Sequence, residues 1–298
     1  MLKIVEKFKI FASISLAIIV IGAILFGVFG GFAQDVDFAG GMTMYIDMGR
    51  DDVDLDELGQ FIKDSTPDGV NPTVQRSDGT QVVIKTTPID TEVRDALQTA
   101  ILEKYELGQE AILQVDNVDA SVGNELKSQA LTATVIAAIL MLIYITIRFE
   151  MRTGIAAVIC LLHDVLIMLT VYVIFRIPVN SNFIAAILTI VGYSINNTIV
   201  VFDRIRENYA KNKRAPFADT VNMSIKQTLG RSINTTITTL LPVVMLFIFG
   251  VTSIRQFTIP LMIGLLAGTY SSVLLAGPLW VIMKNIQANR KKKRLAKR

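Results

Sequence analysis

The chain is predicted to be an α-helical polytopic membrane protein with six spanning helices and one α+β domain between the first two. Three observations predict this. Hydrophobic residues make up 52% of the 298 positions and charged residues 18%, more apolar and less charged than a soluble domain. Six apolar runs approach or exceed the ~20 residues a helix needs to cross a bilayer core. Between the first two runs lies one long polar segment, Gly31 to Ser128, which holds 20 of the 26 acidic residues and changes from helical to alternating periodicity.

The first run, Phe11 to Phe29, is long for the apolar core of a signal peptide. It ends in Val-Phe-Gly-Gly-Phe rather than a small-x-small cleavage site. It therefore reads as a retained helix, and residues 1–30 as a cytoplasmic N-terminus plus that helix. In residues 31–128, MTMYIDM reads as a strand and Leu55 to Ile62 as a helix. TVQRS and TQVVIKTT read as a hairpin around Asp78-Gly79, Thr91 to Tyr105 as a second helix, and AILQVDNV as a last strand. The order βαββαβ is that of a ferredoxin-like sandwich, and about 95 residues suffice for one such domain with a modest core. The single cysteine, Cys160, lies in a span, so this domain has no internal disulfide to lean on.

The other runs are Leu131–Ile147, Gly154–Phe175, Phe183–Phe202, Ile233–Val251 and Phe257–Met283. They make up residues 129–283, with a charged cytoplasmic loop at 203–231 and a basic cytoplasmic tail at 284–298. With the N-terminus cytoplasmic, inside segments hold 20 of the 29 Lys and Arg residues. Of the nine outside, seven lie in the long domain, which leaves only Arg176 and Arg255 in short outer loops. Short loops set topology, so both termini are expected to be cytoplasmic and the domain, with a formal charge of −13, extracytoplasmic. The tail suits anionic lipid, where each basic residue adds ~1 kcal/mol of attraction. Its plainest role is a solvated topology anchor, and no nucleic acid partner is expected.

The polar residues inside the spans carry the functional signal. Asp164 is the only acidic residue deep in any span, and an ionisable group there marks a proton or cation site by default, with a structural hydrogen bond as the plain alternative. Its neighbour His163 projects about 100° away on a helix, so the two are not expected to share a face. His163 reads more readily as a packing or hydrogen-bonding group.

In the fourth span Ser194, Asn197 and Thr198 fall on one face, and Gly192 and Asn196 on another. Their amides and hydroxyls either glue helices together or line a path. In the fifth, Arg231, Asn234, Thr235 and Thr238 form one stripe, with Arg231 either snorkelling to the headgroups or facing inward as a charge switch. In the sixth, Gly264, Gly268, Ser272 and Ala276 recur every four residues, a small-residue stripe that lets backbones approach.

Catalytic signatures are missing. A single histidine excludes a HExxH zinc site, and neither a phosphate-binding glycine loop nor a nucleophile elbow is present. The chain is expected to be no enzyme and to hold no cofactor or metal. Any work it does draws on an ion gradient or a partner.

Several motifs in order carry a resemblance. They are DFAGG (Asp37, Phe38, Ala39, Gly40 and Gly41), SVGNEL (Ser121 to Leu126), LLHDV, GYSINNTIVVFDRIREN, SINTTITTLLP and LAGTYSS (Leu266 to Ser272). Together they resemble the SecF family, the smaller half of the SecDF export complex of bacterial plasma membranes, in the resistance-nodulation-division superfamily. The resemblance implies six spans and association with SecD and with the SecYEG channel and its ATPase SecA, with YidC and YajC as further associates. It also implies work on translocating preproteins at the expense of a proton or sodium gradient.

Asp164, Arg231, Asn197, Asn196 and His163 are then the ion-coupling candidates. The chain departs from the family at Asn197, where members usually carry an Asp linked to ion conduction, and at Asp35, where Gly is general. An amide at 197 leaves room for a passive assembly or scaffold subunit. A small-molecule or lipid exporter of the superfamily is the other alternative, and six spans with one small domain argue against it.

Overall fold

The computed structural model describes residues 3–67, 69–77, 79–148, 151–250 and 252–295. Asp78 of the expected hairpin turn, Val251 at the end of the fifth apolar run and residues 296–298 of the tail lie outside the described residues. The protein is mostly helical, with a small antiparallel sheet. In chain order the elements begin with α1 (Phe8–Val28), a single turn α2 (Val36–Ala39), β1 (Gly41–Asp47) and α3 (Leu55–Asp64). They continue through β2 (Thr73–Arg76), β3 (Gln81–Thr86), α4 (Thr91–Tyr105), a 3-10 turn at Gln109–Ala111 and β4 (Ile112–Val118). Then come α5 (Ala120–Arg148), α6 (Met151–Ile174), α7 (Ser181–Lys211), α8 (Phe217–Phe249), α9 (Thr252–Tyr270), a π-helical segment Ser271–Ala276 and α10 (Gly277–Leu295). Among the described residues six helical stretches are long and apolar enough to cross a membrane.

The sheet order is β2-β3-β1-β4 with every pair antiparallel, Met44 standing opposite Ile84 on one side and Val115 on the other. Alternation turns Met42, Met44, Ile46, Val82 and Ile84 to one face. There α3 supplies Leu58 and Ile62 and α4 supplies Leu97 and Ile101, and all of these side chains are buried. Asp54 starts α3 where it does because its Oδ1 accepts the N–H groups of Asp56 and Glu57, at 2.9 and 3.1 Å.

Two features depart from the sequence expectation. The segment 203–231, expected as a loop, is helical except for the short connection between Lys211 and Phe217. At 31 residues α7 is roughly 46 Å long, well beyond a ~30 Å hydrocarbon core. Its polar end survives because α8 runs back along it: Asn208 Nδ2 donates to Ser224 Oγ at 2.8 Å and to Gln227 Oε1 at 2.7 Å. Secondly, the sixth span is not one regular helix, because the π segment Ser271–Ala276 interrupts it.

The segment leading into the sheet is stitched to the connection between α6 and α7. Asp35 N–H donates to the Val179 carbonyl at 3.0 Å and Val179 N–H to Ala33 at 2.8 Å, so the stretch after α1 pairs with the α6–α7 connection. Gly41, which opens β1, has φ +141°, and a Cβ there would collide with the carbonyl oxygen of Thr86. Only glycine fits that strand start.

Candidate functional site

Asp164 sits midway along α6 and is 0% exposed. Its Oδ2 accepts from Ser194 Oγ of α7 at 2.5 Å and from Ser271 Oγ, the first residue of the π segment, at 2.9 Å. Its Oδ1 lies 2.9 Å from His163 Nδ1, and His163 Nε2 lies 2.9 Å from Ser15 Oγ of α1. The neutral tautomer with its proton on Nδ1 satisfies every member: Ser15 donates to His163, and His163, Ser194 and Ser271 donate to Asp164. The carboxylate thus gathers three donors from three elements, so a change at its oxygens would alter all three contacts together.

His163 and Asp164 leave α6 on different faces, as their spacing requires, and nevertheless meet through their side chains. Their Cβ directions diverge along the helix, but the imidazole swings back to the carboxylate and stacks on Tyr270, with centroids 5.9 Å apart and planes 16° apart. Tyr270 in turn donates to the Phe11 carbonyl at 2.9 Å, so α1 is tied to the site twice. Close approach of α7 and α9 allows the constellation. A Cβ on Gly268 would lie 3.0 Å from Ser194 Cβ, so the small-residue stripe brings the Ser194 backbone within reach of Asp164.

The other sequence candidates divide between two sides. Ser194, Asn197 and Thr198 are buried in the bundle, and Asn197 Nδ2 has no hydrogen-bond partner among the described residues. Asn196 is exposed and, with Gly192, lines a groove of about 390 Å³ against Ala137, Leu140 and Tyr144 of α5. Arg231, Asn234 and Thr238 are exposed and Thr235 half-buried, so the stripe read on α8 faces away from Asp164. The inward stripe of α8 is offset from it and consists of Thr228, Ser232 and Thr236. Thr236 accepts from Tyr193 OH at 3.1 Å and lies 2.6 Å from Thr269 Oγ1, which ties α8 to α7 and α9.

The DFAGG residues are far from this chemistry in role. Asp37 Oδ2 accepts Ser181 N–H at the start of α7 at 3.1 Å, Phe38 is buried, and Gly40 and Gly41 take positive φ into β1. Sequence reasoning missed Ser15, Ser271, Tyr193, Thr236 and Thr269. All but Ser15 lie within the motifs GYSINNTIVVFDRIREN, SINTTITTLLP and LAGTYSS, but a motif does not say which of its hydroxyls faces the carboxylate, and such residues commonly bond their own helix backbone.

Comparison with known proteins agrees with this architecture. Residues 98–286 match the family described as protein export membrane protein SecD/SecF, C-terminal. The chain is 39% identical over 279 residues to the protein translocase subunit SecF of Sebaldella termitidis, covering 92% of this chain and 90% of that one. It is 46% identical over 198 residues to the protein translocase subunit SecDF of Bacillus subtilis, covering 65% of this chain and 26% of that one. The crystal structure of SecDF, a translocon-associated membrane protein from Thermus thermophilus, superposes with a TM-score of 0.83 at 32% identity, over 94% of this chain and 38% of that one. The chain thus spans most of a separate SecF and only part of the SecDF chains.

Proposed function

The chain belongs to the SecF family of protein-export membrane proteins, and on that premise we propose that it couples an ion gradient to Sec-dependent preprotein export through Asp164. The observation that carries this reading is the buried carboxylate itself, held by hydroxyls from α7 and the π segment and by His163. A cation moving through the membrane potential releases ~2.3 kcal/mol per charge per 100 mV. Converting that into motion needs a group that changes charge, which Asp164 can do and Asn197 cannot. Loss or gain of charge at Asp164 alters three contacts at once, and those contacts join α6, α7 and the sixth span.

SecD is the proposed partner. The SecDF relatives, of which this chain covers only part, support that pairing. So does the exposed stripe of Arg231, Asn234 and Thr238, since polar groups are poorly placed against lipid and well placed against a second helical chain. In this reading Arg231 acts on a charge in the facing chain.

The remaining assignments follow the same frame. Both termini are cytoplasmic in a bacterial plasma membrane, and residues 31–128 form a ferredoxin-like extracytoplasmic domain that handles the emerging preprotein. The β4-β1-β3-β2 order with crossing helices α3 and α4 supports that fold. The SecYEG channel with SecA, YidC and YajC are proposed neighbours, the basic tail lies on anionic lipid, and the chain is no enzyme. A passive scaffold role is the second reading, favoured by the amide at Asn197.

Membrane vesicles containing the complex distinguish the two. Asp164→Asn is expected to abolish stimulation of export by a proton or sodium gradient while SecD still copurifies. Wild-type export by Asp164→Asn under a full gradient would move the coupling site into SecD and leave this subunit passive.

A further inference from the structure

A second polar cluster joins the sheet to the helices, 14 residues along α7 from Ser194. Lys85 Nζ, on β3, contacts both oxygens of Asp35, at 2.7 and 2.8 Å. The pair is shielded, with side chains 16% and 6% exposed. Asp35 Oδ1 also accepts Val36 N–H at 2.8 Å, and Oδ2 accepts from Asn180 Nδ2 at 3.4 Å. Asn180 is the N-cap of α7, its Oδ1 taking Phe183 N–H at 3.0 Å, and its Nδ2 also donates to Gln256 Oε1 of α9 at 2.9 Å. Four elements from three parts of the chain meet on one carboxylate and one amide.

The two helices held here are the two that hold Asp164. Ser194 belongs to α7, and Ser271 follows directly on α9. A helix transmits axial displacement because its hydrogen bonds close on themselves. From its cap Asn180 to Ser194 α7 runs without a proline, so its end reports what happens at Ser194, whereas in α9 Pro260 leaves the Gln256 carbonyl without its helical N–H and joins Gln256 to Ser271 through a proline-interrupted turn. A buried ion pair is a suitable attachment, since it has a defined geometry and breaking one partner leaves an uncompensated charge. Lys85 lies on the face of the sheet opposite the α3/α4 core. Arg255 of α9 adds a second contact to that domain, reaching the Ser77 carbonyl at 3.5 Å.

We propose that the Asp35–Lys85 ion pair is the coupling joint of this protein: it makes the sheet domain move as one body with the outer ends of α7 and α9. Asp35 and Lys85 are positioning residues and touch neither ion nor preprotein. The proposal rests on the ion-coupling reading only for what drives the motion.

Spin labels at Gln75→Cys on exposed β2 and Ile254→Cys at the start of α9 read the joint directly in the lipid-embedded complex with SecD. With the native pair, double electron–electron resonance is expected to give a single narrow distance. Lys85→Met and Asp35→Asn are expected to lose it to a broad distribution, and Lys85→Arg to keep it. In both broadened variants amide protection of β1 and β3 is expected to persist, and gradient-stimulated export to be lost. A native-like narrow distance in Lys85→Met overturns the joint. Loss of strand protection together with the distance overturns it as well, because the pair would then hold the sheet's own fold. Normal export by Asp164→Asn would remove the ion-coupling reading and leave the distance result to stand or fall separately.

Discussion

Ser271 Oγ lies 2.9 Å from Asp164 Oδ2 and 3.2 Å from the Gly268 carbonyl, so one hydroxyl proton has two acceptors. Ser271 is also the first residue of the π segment, a kind of helix irregularity concentrated at functional sites. When Asp164 is charged its oxygen is the stronger acceptor, and when it is neutral the backbone carbonyl competes. The hydroxyl can thus register the state of the carboxylate and pass it to the sixth span.

Ser271→Ala should therefore weaken the ion response without abolishing it. A hydrogen bond to a charged group contributes ~1.5–3 kcal/mol, equivalent to about tenfold or more in the ion concentration needed for half-maximal stimulation. Titrating export stimulation against the coupling ion measures this, and an unchanged midpoint would remove Ser271 from the mechanism.

At position 197 the expected order is reversed from the family pattern. Asn197→Ala should affect gradient-dependent export less than Asp164→Asn does, because the Asn197 Nδ2 group has no partner to lose among the described residues. Asn197→Asp should be tolerated and should steepen the dependence of export on the gradient. Export assays at graded membrane potential decide between these outcomes.

Arg231→Ala should leave the chain's own unfolding within about 0.5 kcal/mol of the parent, since the side chain is exposed with no partner among the described residues. It should still reduce copurification with SecD or the gradient stimulation of the complex. If both remain at parent levels, the facing-chain role of Arg231 is wrong.

Gly41→Ala should cost about 3 kcal/mol or more, because a positive φ adds to the collision with Thr86. Gly49→Ala is the matched control: φ is +64° but the space around it is open, so about 1 kcal/mol is expected. Protease resistance of the sheet domain in the intact protein ranks the two.

The sheet domain also carries a predicted acid response. The Thr80 hydroxyl and the Gly49 N–H hold the Asp47 carboxyl below its ordinary value of 3.8. A depressed value means that stabilisation is complete above that ordinary value and is lost as pH falls through the lower folded-state value. Thr80→Val should move the Asp47 titration, followed by carboxyl-carbon NMR, upward toward the ordinary value. It should also narrow the difference in stability between neutral and acid pH.

How much of this was legible beforehand varies by element. The six apolar runs were readable because spanning a bilayer demands length and apolarity from contiguous residues, a local constraint. The strands and helices around Met44 and Leu97 were readable for the same kind of reason, through alternation and helical spacing. Asp164 stood out because a carboxylate in an apolar helix is costly wherever its neighbours lie.

Its partners were less legible: spacing put Ser194 on a polar face with Asn197 and Thr198, but Ser15 lies 148 residues from His163 and Ser271 lies 107 from Asp164 in the chain, and a lone serine has no periodicity to betray which way it points. The stripe on α8 shows the same limit, since spacing grouped Arg231, Asn234 and Thr238 on one face but did not reveal that the face looks outward.

Sequence alone therefore determined the membrane architecture, the family and the presence of one unusual carboxylate, all of which rest on the chemistry of single residues or short runs. Only the tertiary structure decided that this carboxylate gathers α1, α6, α7 and the π segment, and that Asp35 finds Lys85 fifty residues away. Those contacts depend on how helices pack across long stretches of chain, and packing is a property of surfaces meeting, which no local pattern encodes.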